Sequence, residues 1–214
     1  MKTIFIPVKI KLDLSKEFEK IFLNISKNLP KNIALVYSIQ YKDIALKIKE
    51  IISEKGKHNI VSFSQILGCT GINKFDKKIQ AVLLIGSGKF HAISLAKAFK
   101  KIPVYIFDNG IFNKITKKEV EILEKKQKAS YLKFLNSDNI GILISLKPGQ
   151  QNFKKALEFK KNLEKKNKNV YLFICDNINT NEFENFPEIQ SWVNTACPRL
   201  DMDYSTINLS DIKF

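Results

Sequence analysis

Cys197 and Arg199 stand two positions apart in Asn194-Thr195-Ala196-Cys197-Pro198-Arg199-Leu200. Arg199 is the only arginine in a chain that otherwise carries its positive charge on lysine. A guanidinium grips a carboxylate or phosphate through two parallel hydrogen bonds, whereas an ammonium is a point charge. Cys197 offers a soft thiolate, as ligand or nucleophile. The same residues also read as a plain turn, with Pro198 stopping a strand, the cysteine packed and the arginine on the surface. Cys69 lies in Leu67-Gly68-Cys69-Thr70-Gly71, between glycines that expose backbone N–H groups and leave room for a bulky ligand. An ordinary loop cysteine is the alternative there. Gly86-Ser87-Gly88-Lys89-Phe90-His91 joins an apolar run to an amphipathic one. A strand, a Gly-x-Gly turn and a helix start make an anion cradle, because free N–H groups and the helix dipole face one point. The stretch lacks the third glycine of a dinucleotide fingerprint and the Gly-Lys-Ser/Thr ending of a P-loop. His91 reads as a base, a ligand, or a packed or capping residue. Lys147-Pro148-Gly149-Gln150 is a second glycine turn before a helix, and Cys175 follows a strand.

The elements that position these residues follow from periodicity. Short apolar runs predict strands over 3–9, 32–38, 59–63, 81–85, 103–107, 139–146, 169–174 and 189–193. Helical spacing predicts helices over 16–29, 41–55 and 117–136, one that follows the Gly86–His91 stretch and ends at 99, one ending near residue 166, and a short one over 181–186. The first presents Phe18, Ile21, Phe22 and Ile25 on one face, and Gly56 caps the second. Alternation of buried strands with helices predicts an α/β fold: two successive related three-layer units, with short, mainly parallel sheets flanked by helices. The units cover 1–115 and 137–214, and a lysine-rich helix over 116–136 connects them. Ligands in such folds gather beyond the C-terminal ends of strands. Cys69, the Gly86–Gly88 turn, the Lys147–Gln150 turn and Cys197 all fall in loops of that kind.

Composition narrows the class. With 214 residues, 44% of them apolar, the chain is long enough for real cores. Its apolar runs are too short to span a membrane. The apolar start is broken by Pro7, Lys9 and Lys11, so it reads as a strand and not a signal peptide. Three scattered cysteines do not make a disulfide framework, and a cytoplasmic location fits. The net charge of +15 is spread over helical faces such as Lys117, Lys118, Lys125, Lys126 and Lys128. Solvated helix faces account for it, although it would also steer the chain towards a large acidic or RNA-rich partner.

Taken together, the motifs resemble the radical diphthamide synthase family, the 2-(3-amino-3-carboxypropyl)histidine synthases of archaea and eukaryotes. The matching pieces are Leu67-Gly68-Cys69, Gly86 to His91, Gly141-Ile142-Leu143-Ile144 with Lys147-Pro148-Gly149-Gln150, and Thr195 to Leu200 followed by Asp201-Met202-Asp203. The resemblance implies three related α/β domains, each giving one cysteine to a [4Fe-4S] cluster. The cluster cleaves S-adenosylmethionine to a 3-amino-3-carboxypropyl radical that adds to a histidine of translation elongation factor 2. On that basis Cys69 and Cys197 are cluster ligands. Arg199 pairs with the carboxylate of the transferred group or of a neighbouring acid. Gly86, Gly88, Gly149 and Gln150 lie near S-adenosylmethionine through backbone groups, with His91 a lesser candidate, and Cys175 is structural. The sequence starts where the family's second domain starts. The expectation is therefore a split enzyme, whose first domain and third cysteine come from a companion chain or from a homo- or heterodimer. Membrane and nucleic acid are not expected as direct partners. Two rival readings are a non-catalytic accessory subunit and a nucleotide- or RNA-binding α/β protein using the Gly86–Gly88 turn and the lysines.

Overall fold

The computed structural model describes residues 4, 6, 8–11, 15–67 and 78–213. It divides into two compact units, Met1–Val120 and Glu121–Phe214. The strand expected over 3–9 lies partly outside the described residues, and residues 4, 6, 8 and 9 are not in a strand.

In the first unit, α1 (Lys16–Ile25) begins at Ser15, whose hydroxyl accepts from the backbone N–H of Phe18. Only Phe18 and Phe22 of its apolar residues are buried, and both rings meet Phe107 edge-on. Ile21, expected on the inward face, is 50% exposed. The buried stripe is a narrow i, i+4 seam, and a residue at i+3 falls on its flank. The helix gives way to a 3-10 turn over Ser26–Asn28, short of the expected 29. Strand β1 (Asn32–Tyr37) and β3 (Ala81–Ile85) form the buried centre of the sheet, with α2 (Lys42–Lys55) between β1 and β2 (Asn59–Gln65) in sequence. Ile44, Ala45, Ile48, Ile51 and Ile52 are the inward face of α2. After β3 come α3 (Lys89–Ala98), β4 (Val104–Asp108) and β5 (Ile111–Lys114). The sheet order is β2-β1-β3-β4-β5. The first four strands are parallel and β5 is antiparallel to β4. The sequence reading did not anticipate β5, although Asn109-Gly110, with φ of 47° and 87°, is the turn chemistry of a two-residue hairpin.

Helix α4 (Lys117–Leu135) opens with a capping box. The Thr116 hydroxyl accepts from Glu119 N–H at 3.2 Å, and the Glu119 carboxylate accepts from Thr116 N–H at 2.8 Å. In the second unit, β6 (Asn139–Ser145), α5 (Phe153–Glu164), β7 (Asn169–Cys175), β8 (Ser191–Asn194), α6 (Leu200–Asp203) and β9 (Thr206–Asn208) build a fully parallel sheet ordered β7-β6-β8-β9. One face packs Ile140, Ile142 and Ile144 against Ala156, Phe159 and Leu163 of α5. The other is covered by aromatic residues of the β7–β8 crossover. There Phe183, on a 3-10 segment over Thr180–Asn185, stacks 4.2 Å from Trp192, and Phe173 meets the same indole edge-on at 4.6 Å. At the open edge of the sheet the Lys160 ammonium donates to the carbonyl of Val170 at 2.6 Å. The short elements α6 and β9 were not foreseen.

Candidate functional site

The expected site residues that the structure describes fall at the C-terminal ends of parallel strands, where loops and helix starts converge. In the first unit β3 ends at Ile85, and Gly86-Ser87-Gly88 turns into α3. Gly86 is buried, donates its N–H to Phe107 O at 3.1 Å, and would bring a Cβ within 3.1 Å of Ser38 Oγ. Gly88 caps the helix with φ +72°, a backbone conformation that favours glycine. Two of the cradle's donors are engaged by the chain's own carboxylates. Gly88 N–H donates to Asp108 Oδ2 at 3.4 Å, and Asp108 Oδ1 accepts from the Tyr41 hydroxyl at 3.0 Å. The Lys89 ammonium donates to Glu119 at 2.6 Å. That contact, with the Thr116 N–H, holds the Glu119 carboxyl down at about 2. Burial, reinforced by Asp108, pushes the Tyr41 phenol above its ordinary value, against a lowering by Ser87. His91 is half-buried in the first turn of α3, its ring 5.0 Å from that of Phe90. Cys69 lies outside the described residues.

In the second unit the loop after β6 is a tight turn. Gln150 N–H donates to Lys147 O at 3.0 Å, with Pro148 at the second position and Gly149, φ +79°, at the third. That is the sequence and sign pattern of a type II turn. Cys175, the last residue of β7, is a free thiol that burial and then the Asp176 carboxylate push upward.

The Cys197 loop is held from three directions. Thr195 donates to Leu143 O through both its N–H, at 3.2 Å, and its hydroxyl, at 2.7 Å. Asn152, the residue preceding α5, leaves that helix uncapped by its side chain and donates to Thr195 O at 2.7 Å. Asn194, buried at the end of β8, accepts from Ala196 N–H at 2.9 Å and donates to Cys197 O and to Asn208 Oδ1, each at 2.7 Å. Asn208 in turn donates to Pro198 O at 3.1 Å. The thiol of Cys197 is free and half-buried at the head of this clamp. Downstream, α6 is tied to α4: Gln127 donates to the buried Asp201 carboxylate, and Lys126 donates to Met202 O, both at 2.6 Å. Arg199 is exposed and lies with Nε 3.5 Å from Asp203, one turn along the same short helix. Sequence reasoning missed Asn152, Asn194, Asn208, Asp108 and Tyr41. The available signal was a polar residue ending an otherwise apolar strand, as Asn194 does after Trp192 and Val193.

A half-buried free thiol on a clamped loop fits one corner of a thiolate-ligated cluster. Among the described residues no three His, Cys, Asp or Glu side chains are grouped to hold a metal ion by themselves. No helix among those residues is long and apolar enough to cross a membrane.

The profile of a family described as "Putative diphthamide synthesis protein" matches residues 1–207. A 2-(3-amino-3-carboxypropyl)histidine synthase subunit 1 of Schizosaccharomyces pombe is 29% identical, over 95% of this chain and 49% of the relative. The 2-(3-amino-3-carboxypropyl)histidine synthase of Methanocaldococcus jannaschii is 28% identical, over 95% of this chain and 57% of the relative. The chain thus spans about half the length of the curated relatives it matches. The crystal structure of Dph2 from Pyrococcus horikoshii with a 4Fe-4S cluster superposes with a TM-score of 0.71 at 27% identity, covering 90% of this chain and 58% of that one.

Proposed function

The chain belongs to the diphthamide synthesis protein family, and from that premise we propose that it is part of a 2-(3-amino-3-carboxypropyl)histidine synthase. The reaction transfers the 3-amino-3-carboxypropyl group of S-adenosylmethionine to a histidine of translation elongation factor 2, in the cytoplasm. Cys197 and Cys69 are two thiolate ligands of a [4Fe-4S] cluster, and the third thiolate comes from protein outside these 214 residues. The observation that carries this reading is the clamped loop presenting Cys197 at the end of β8, within the stretch that the family profile matches. When bound, the cluster supplies the electron that cleaves S-adenosylmethionine, and the chemistry is the cofactor's. The chain's own part is to position. The Gly86–Gly88 and Gly149–Gln150 turns bring backbone close to S-adenosylmethionine at strand ends, with the N–H groups of Gly86, Gly88 and Gln150 held by the chain itself, and His91 stands beside the first of them. Arg199 exchanges its single contact with Asp203 for a bidentate grip on the carboxylate of the transferred group. We take the domains to be 1–115 and 137–214 with 116–136 between them, while the compact units of the structure divide within that segment, at Val120 and Glu121. A nucleotide-binding reading has less support, because Gly88 N–H and Lys89 are already paired with Asp108 and Glu119.

The test is anaerobic reconstitution with iron and sulfide of the full-length protein, with any partner that copurifies. Wild type is compared with Cys69→Ser, Cys197→Ser and Cys175→Ser. Iron content and low-temperature electron paramagnetic resonance should show the cluster lost in the first two variants and kept in the third. A full cluster in both Cys69→Ser and Cys197→Ser would overturn the assignment. Transfer activity retained by the double variant would instead mark an accessory subunit.

A further inference from the structure

We infer that Asn194 and Asn208 are positioning residues that fix where the Cys197 thiol sits and how readily it is reached. The inference rests on the reading of Cys197 as a cluster ligand, but its first test does not. Both asparagines are buried, at 2% and 6% exposure, on adjacent strands β8 and β9 and in register with each other. Between them they make three bonds to the backbone of residues 196 to 198, and a fourth bond joins the two side chains. Asn194 uses both N–H groups on oxygen acceptors and its oxygen on an N–H donor. Its amide orientation is therefore fixed by its partners. Only a side chain with an adjacent donor and acceptor satisfies this arrangement. A carboxylate at 194 would face Cys197 O and Asn208 Oδ1 with no proton to offer either. The carbonyls of Cys197 and Pro198 are thereby anchored on interior amides, and Leu200 N–H donates to Cys197 O as well, at 3.1 Å. A loop pinned at both residues flanking its functional atom has little freedom to redirect it. Outer groups that orient a ligand in this way typically change metal affinity by about 10–100-fold when removed.

The experiment uses Asn194→Asp, nearly isosteric but with both donors removed, and Asn208→Asp, which keeps an acceptor for Asn194 and replaces the donor to Pro198 O with a second carboxylate oxygen. The probe is iodoacetamide on the folded, cluster-free protein. Alkylation of Cys197 is followed by peptide mass spectrometry, with Cys175 in the same molecule as internal reference. We expect the Cys197/Cys175 rate ratio to change severalfold in Asn194→Asp, and by less, in the same sense, in Asn208→Asp. A lowered melting temperature with an unchanged ratio would reduce the pair to a structural role and overturn the inference. Should Asn194→Asp fail to fold, Asn208→Asp decides alone. The reconstituted variants should also show a broadened or shifted paramagnetic signature. If Cys197→Ser binds iron as the wild type does, the cluster reading fails, while the alkylation result still stands for the asparagine pair.

Discussion

Gly141 has no side chain because Trp192 fills the place where one would be. A Cβ there would lie 2.6 and 2.7 Å from two indole carbons and 3.1 Å from Ile189. The two residues face each other across β6 and β8, so neither can move without shifting the strand pair. Gly141→Ala should therefore destabilise the chain by about 1–3 kcal/mol through overpacking, measured by urea unfolding followed at Trp192. Residues of this kind explain how much of the site was legible. Cys197 and Arg199 stood out because their types are scarce in this chain. Asn194 and Asn208 did not, because asparagine is common here and the pair is separated by 14 positions that only the sheet brings together. The direction of Arg199 was not legible either. Its i, i+4 partner Asp203 exists only because residues 200 to 203 close into a helical turn.

At the scale of elements, the buried strands and long helices were readable from periodicity, since each repeats its pattern over a turn or more. The elements that escaped, β5, α6 and β9, are four, four and three residues long, below the length at which a period can be seen. The start of α4 carries its own pH response. Glu119 is held at about 2, from an ordinary 4.5, by Lys89 and Thr116, and it is 24% exposed. Its folded pKa is depressed, so its contribution is fully present above about pH 4.5 and disappears as the pH falls towards 2. Glu119→Gln, whose amide oxygen can still accept from Thr116 N–H, should flatten the acid limb of the stability curve in that window, and should cost at most about 1 kcal/mol at neutral pH through the lost ion pair with Lys89. A variant as acid-sensitive as wild type between those pH values would rule out this role. Lys89→Met, which removes the main cause, should shift the same limb upward in pH.

For the whole molecule, the division into two units with separate cores predicts that heat acts on them separately. Trp192 is the only tryptophan and lies in the second unit, so its fluorescence reports that unit alone. Gly141→Ala should lower the Trp192 midpoint, by about 4–8 °C per kcal/mol for a unit of this size. The part of the circular dichroism signal that belongs to the first unit should stay in place. A single transition that moves as one for both probes would show that the units unfold together. One contact at the rim of the second sheet bears on how the protein behaves in concentrated solution. Strand β7 is seven residues long, lies at the edge, and leaves Tyr171 and Ile174 about half exposed. Such a strand is a template for adding another chain's strand, and so for aggregation. The Lys160 ammonium on Val170 O occupies one of the acceptors that an added strand would need, and puts a charge in its path. A lysine that looks like one more member of a basic helix face thus also blocks part of an open strand edge.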